Sequence, residues 1–368
     1  MSQFQNPAPD IAPLVTAKTV VKRGKYRHLV FCFFPLSVFV LVGLGIRGGG
    51  YWLSLPFLTW LIVVPLLDLV TGWQDTAHFD IEDFNRLEIS LLNWNTRLYA
   101  LCYVGLVIYL AKSISRFDGI ETAFLIVSLS FCGGIAFSAA HELVHAKQRI
   151  DQVLQRVLTS FLCYPHYKLI HIRSHHVHTS TQDDENTAWF NETIYSYIAR
   201  TIPGSAIRCW QMEAKYNNNR ERSTPIFRNK MYWYAAGQLC LLAAMFLLAG
   251  WRGLLFYLAQ TIGSHIVLES VNYIQHYGLM RPQREGEYEK NGPEHSWDTY
   301  HYFSSYLAFR VGHHSYHHIA VKPYYLLGTE PEAPKLPAGY FWTIPMVFLP
   351  PWWRSVINPR LKANPLPA

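Results

Sequence analysis

A chain of 368 residues in which half the side chains are hydrophobic, 15% aromatic and only 15% charged falls well short of the ~25% charge usual in soluble domains. With its long apolar runs, this composition argues for an all-α polytopic membrane protein and against a pair of soluble domains. The net charge of +7 reads as loop charge facing anionic lipid and cytoplasm, and without a basic patch interleaved with aromatics no nucleic-acid partner is expected.

Residues 1–28 read as a cytoplasmic tail. Met1 to Val15 is polar and proline-containing, unlike a cleaved leader, and Lys18, Lys22, Arg23, Lys25 and Arg27 hold the N-terminus inside. Residues 29–368 read as one membrane domain with six transmembrane helices, at about 29–46, 51–70, 98–111, 122–140, 232–249 and 253–274. Gly48 to Gly50 turns the first hairpin outside, and Pro56 and Pro65 kink the second span. Asp68, near the cytoplasmic end of that span, is either a headgroup-level residue or a carboxylate supporting a metal site. Residues 74–95 are polar, with His78 a surface residue. The third span is short unless Arg97 and Lys112 snorkel. Val153 to Cys163 is amphipathic and suits the interface, as does the aromatic, proline-rich stretch Tyr340 to Trp353. Residues 141–231 and 275–368 then form a cytoplasmic cap, and basic residues from Lys147 to Lys230 support that side. Asn191-Glu192-Thr193 is a glycosylation sequon left silent there.

The cap carries the chemistry. His141 and His145, then His171, His175 and His176, then His314, His317 and His318 make HxxxH, HxxxHH and HxxHH clusters, and His276 adds a ninth histidine at the end of span six. All nine fall on one side of this topology. A mononuclear zinc site takes about three or four protein ligands, so the number fits two metal ions better than one. On a helix, His141 and His145 share a face. His171 and His175 lie one turn apart, while His176 points roughly 100° around from His175, so that block and the third can each face two metals. His141-Glu142-Leu143-Val144-His145 also matches the zinc-protease HExxH pattern, but a protease leaves most of the other histidines unexplained. Glu269, two turns before His276, is expected to orient that imidazole, with pairing to His265 as the alternative. His166, His178, His265, His295, His301 and His313 read as packing or supporting residues. The six scattered cysteines form no CxxC pair and read as small hydrophobes, which rules out a fused iron–sulfur or rubredoxin domain and places the electron donor on another protein.

Asn272-Tyr273-Ile274-Gln275-His276-Tyr277-Gly278-Leu279 resembles the NYxEHYG signature of the integral-membrane non-haem di-iron family that includes alkane 1-monooxygenases (AlkB type), the xylene monooxygenase hydroxylase subunit, fatty acid desaturases and sterol or carotenoid hydroxylases. Pro293 to Trp297 and Pro350 to Leu361 also resemble the AlkB type, and the likeness runs from about span two to the C-terminus. The resemblance implies a six-helix bundle with a cytoplasmic cap and two Fe ions held by His141, His145, His171, His175, His176, His276, His314, His317 and His318. It implies O2-dependent hydroxylation of a terminal or methyl carbon of an n-alkane or alkyl-aromatic, with electrons from a rubredoxin or ferredoxin-type donor and its NAD(P)H reductase. No catalytic side chain beyond the di-iron site is implied; Glu142, Asp184, Glu269 and Asn272 are candidates to support the ligands. The sequence departs from the pattern at Gln275, where most alkane hydroxylases have Glu, at Ile170 before His171, and at Tyr316, where HSDHH has Asp. A desaturase using the same site is the alternative enzyme, and a metal transporter or sensor the alternative outside enzymes. Trp60, Phe57 and Phe137 are candidates to line a substrate tunnel, each otherwise ordinary packing. The cell inner membrane is implied if the source is bacterial.

Overall fold

The computed structural model describes residues 24–73, 79–218 and 228–363. The readings placed on residues 1–23, on His78, and on the part of the basic run at 219–227 lie outside the described residues. Five apolar helical stretches are each long enough to cross a bilayer, and the chain is an integral membrane protein: α1 (Gly24–Gly48), α2 (Gly50–Thr71), α3 (Arg86–Arg116), α4 (Gly119–His145) and α8 (Lys230–His276). Gly250, at φ 66° and ψ −173°, breaks the helical path of the 47-residue α8. Its arms, residues 230–249 and 251–276, are each about 30 Å or more at ~1.5 Å per residue. A side chain at Gly250 would strain that left-handed turn.

The remaining helices build the cap: α5 (Arg149–Phe161), α6 (residues 167–178), α7 (Ile194–Asn218), α9 (Tyr302–Leu307), α10 (His314–Ile319), α11 (Tyr340–Val347) and α12 (Pro350–Ala363). One hairpin, β1 (Gln283–Arg284) with β2 (Glu287–Tyr288), is the exception to an all-helical chain among the described residues.

Capping explains where α3 and α4 begin. Asn85 accepts from Glu88 N and Glu88 reaches back to Asn85 N, while Asp118 and Glu121 do the same for α4. The first of these boxes starts α3 twelve residues before the expected 98, correcting the short third span. Arg97 does not snorkel either. It is buried, with Nε 2.6 Å from Asp151 Oδ1 and Nη2 2.7 Å from Gln148 Oε1, and so ties α3 to α5. Arg97→Ala would leave the Asp151 charge buried and unpaired, and thermal unfolding in detergent should show a loss of about 3 kcal/mol or more.

In α2, Pro65 cannot donate to the preceding turn, and the chain widens into a π turn at Thr59–Val63 just ahead of it. Asp68 follows neither expectation. It is buried and accepts from Phe303 N (2.7 Å) and from Ser304 N and Oγ, so it caps α9 and fastens cap to bundle. α4 and the second arm of α8 pass at close range: a Cβ on Gly133 would lie 1.9 Å from Ser264 Oγ, and one on Gly263 1.9 Å from Ser130 Oγ. Small residues allow that approach in a membrane.

α5 turns Asp151, Gln155 and Thr159 inward and leaves Ile150, Val153 and Val157 exposed, the pattern of a helix lying on lipid. The stretch from Tyr340 has two sides. Tyr340, Ile344, Met346, Val347, Trp353 and Ile357 share a buried cluster with Tyr273, Ile274 and Tyr277 of the α8 end, while Trp342, Leu349 and Trp352 remain exposed. It braces the helix that carries His276 and shows an apolar side outward.

Candidate metal centre

Four pieces of chain meet at the cap side of the bundle: the end of α4, α6, the end of α8, and α10. They bring all nine clustered histidines together in two groups, His141, His145, His171, His176 and His317 in one, His175, His276, His314 and His318 in the other. Within each group the potential ligand atoms lie within 4.8 Å of one another.

The sorting follows from local backbone. His141 and His145, one α-turn apart, point to the same place, as do His314 and His318. α6 behaves otherwise. Tyr167–Ile170 is α-helical, His171–His175 is a π turn closed by His176 N–H donating to His171 O, and α geometry resumes at His176–His178. The wider turn puts His171 with His176, whose Nε2 atoms are 3.0 Å apart, and sends His175 to the other group. A regular helix would pair His171 with His175 instead.

The donor set fits metal. Nε2–Nε2 separations are 3.0 Å for His145–His171, His276–His314 and His314–His318, and 3.3 Å for His176–His317. Adjacent nitrogens held about 2.1 Å from one ion are separated by roughly 3.0–3.4 Å. Buried His141 Nε2 has no hydrogen-bond partner among the described residues, an expense that a metal would remove. Burial, reinforced by neighbouring imidazoles, pushes His171, His314, His317 and His318 well below the ordinary imidazole range, and His176 to about 2. These five are neutral at ordinary pH, the form that binds metal.

The supporting groups divide. Asp184 Oδ2 sits 3.0 Å from His175 Nδ1, also accepts from Thr187 Oγ1 at 2.8 Å, and leaves His175 Nε2 for its group. Burial raises the Asp184 carboxyl, but the His175 ring beside it prevails and holds it below the usual carboxylate range. Glu142 Oε2 accepts from Tyr324 N at 2.8 Å and Oε1 lies 3.8 Å from His141 Nδ1. Glu269 does not orient His276: its Oε2 accepts from Asn272 Nδ2 at 3.3 Å and its Oε1 has no partner among the described residues. Two helical turns separate the residues by about 10 Å along the axis, beyond a glutamate's reach. The pairing with His265 is absent too, since His265 Nε2 is bonded to Leu162 O. His166, His295, His301 and His313 likewise engage Ser205, Gly292, Thr299 and Gly328.

Sequence reasoning missed Asp298. Fully buried, it accepts from Ser315 N at 2.8 Å and from Tyr300 OH at 2.6 Å, capping the helix that supplies three of the nine imidazoles. The cap lies 17 residues from its helix, so no local capping signal marks it.

A chamber of about 30 Å³ touches both groups through His141, His171, His175 and His314. Phe137, Leu268, Val271 and Val311 give it an apolar wall, with Asn272 and Gln275 adding amides; Gln275 Nε2 is turned to Tyr340 OH and Val311 O. Of the three aromatic tunnel candidates, Phe137 lines this chamber. Trp60 packs on Phe131 and Phe57 on Phe124.

The chain is similar to known monooxygenases. A family profile described as fatty acid desaturase matches residues 120–330. Alkane 1-monooxygenase 2 of Alcanivorax borkumensis is 30% identical over 372 residues, covering 98% of this chain and 94% of that protein. Alkane 1-monooxygenase of Ectopseudomonas oleovorans is 30% identical, covering 95% of this chain and 88% of its own. The xylene/toluene monooxygenase hydroxylase component of Pseudomonas putida is 26% identical, covering 90% and 88%.

Proposed function

We propose, from the premise that this chain belongs to the fatty acid desaturase family and within it to the alkane 1-monooxygenases, that it is a membrane monooxygenase hydroxylating a terminal or methyl carbon of a hydrophobic hydrocarbon. The observation that carries the reading is the sorting of nine histidines into groups of five and four that share one small, largely apolar chamber. Each group holds one iron in this reading: His141, His145, His171, His176 and His317 the first, His175, His276, His314 and His318 the second. When bound, the irons supply the activation of O2 and the attack on an unactivated C–H bond.

The chain's own part is placement and exclusion. At about 30 Å³ the chamber accepts on the order of one methyl group, so only the end of a hydrocarbon reaches the imidazoles. Phe137, Leu268, Val271 and Val311 keep water from that end, and Asp184 fixes the His175 ring. Counting the two arms of α8 separately gives six spans, with both termini and all nine histidines on the cytoplasmic face, in the inner membrane of a bacterium. Electrons arrive from a rubredoxin or ferredoxin-type protein and its NAD(P)H reductase, since the dispersed free cysteines offer no paired iron–sulfur ligands.

The test is a product assay. Iron-loaded protein with a rubredoxin, its reductase and 18O-labelled O2 is offered octane, hexadecane, p-xylene and a fatty-acyl substrate. A labelled primary or benzylic alcohol is expected. An unlabelled alkene would transfer the chain to the desaturases, and no O2-dependent product would refute an oxygenase.

A further inference from the structure

Hydroxylation written in full is RH + O2 + 2H⁺ + 2e⁻ → ROH + H2O: a C–H and the O–O bond break, a C–O bond forms, and the second oxygen leaves as water. Electrons come from the separate protein donor. Two protons must therefore reach the metal centre and one water must leave it, and a chamber of about 30 Å³ whose space the hydrocarbon end takes up leaves little room for either.

A second cavity, of about 110 Å³, reaches the five-histidine group at His145 and His317 and shares no lining residue with the chamber. Its wall carries the charged side chains Glu142, Asp151 and Lys322, where the chamber's has no carboxylate, lysine or arginine. Asn93 and Thr96 add uncharged polar groups, and Tyr324 and Tyr325 line it as well. Glu142 is held in place by Tyr324 N, with its other oxygen toward His141. Val321, 53% exposed, and Lys322 stand at the rim. This volume accommodates several waters with polar partners within reach.

We propose that this cleft is the aqueous port of the metal centre, through which water-borne protons enter and the product water departs, separately from the hydrocarbon. The assignment rests on the monooxygenase reading for its purpose, but the port itself is a property of the cleft. Water filling it requires no lining side chain to change protonation state.

The test uses full-length protein loaded with Mn²⁺ in place of iron, its occupancy measured by electron paramagnetic resonance, and reads the relaxation rate of water protons. Val321→Trp should close the rim and lower the enhancement per bound Mn²⁺ by roughly half or more. Lys322→Trp should do the same from the other side of the rim and serves if the first variant is poorly folded. Val321→Thr and the chamber variant Val271→Phe should match wild type. Equal relaxation in both tryptophan variants and wild type would overturn the port, as would a comparable loss in Val271→Phe, which would route water through the chamber. Absence of any hydroxylated product from wild type would defeat the monooxygenase reading and leave the relaxation comparison to judge the cleft independently.

Discussion

Replacing His276 with alanine is expected to cost the protein one metal ion and nearly all its activity. His276 is fully buried at the end of α8, its Nε2 3.0 Å from that of His314, and it belongs to the smaller group, where only three imidazoles would remain. Losing a ligand should exceed the roughly 100-fold that loss of a ligand's outer hydrogen-bond partner can cost. Metal analysis should show iron per chain falling from two toward one, with hydroxylation reduced beyond that factor and helicity unchanged. His145→Ala, in the group of five, leaves four imidazoles and should be the milder change. Retention of both irons with near-normal turnover in His276→Ala would remove His276 from the ligand set.

Asp184→Asn is the next largest expected effect. The carboxylate accepts from His175 Nδ1, Thr187 Oγ1 and Asn186 N, and the negative charge makes the imidazole it holds a stronger donor to metal. The amide keeps the volume but loses the charge and one acceptor. Iron affinity or turnover should fall roughly 10- to 100-fold, while Glu269→Gln, whose carboxylate is turned to Asn272 rather than to any clustered histidine, should retain wild-type iron content. If Glu269→Gln loses iron and Asp184→Asn does not, the two roles have been exchanged.

Much of this was legible in the chain, and the limits have physical causes. Hydropathy located the apolar helices because a bilayer leaves few alternatives for satisfying a backbone. Spacing singled out the nine histidines the fold brings together, but not their distribution, because a regular helix does not anticipate the π turn at His171–His175. The early start of α3 is readable from Asn85 and Glu88 as a capping box, although the polarity of that stretch points to a loop. Asp68, Arg97 and Asp298 were not readable: each charge draws at least one partner from 17 to 236 residues away, and burial of such groups depends on tertiary structure alone. Glu269 misled because a shared helical face was mistaken for reach.

The cap on α9 by Asp68 has a consequence for biosynthesis. Its acceptor oxygens meet Phe303 N, 235 residues further along the chain. At ordinary elongation rates of about 5–20 residues per second the ribosome takes roughly 10–50 s to make that length. Throughout that interval the second span is already available for insertion while its carboxylate lacks the donors that satisfy it, and the last clustered histidine, His318, is still unmade. The bundle is therefore provisional until translation is nearly over. A metal held by these histidines would be acquired by a chain already in the membrane, and a truncation before residue 303 would strand a carboxylate in α2 as well as remove three of the nine imidazoles.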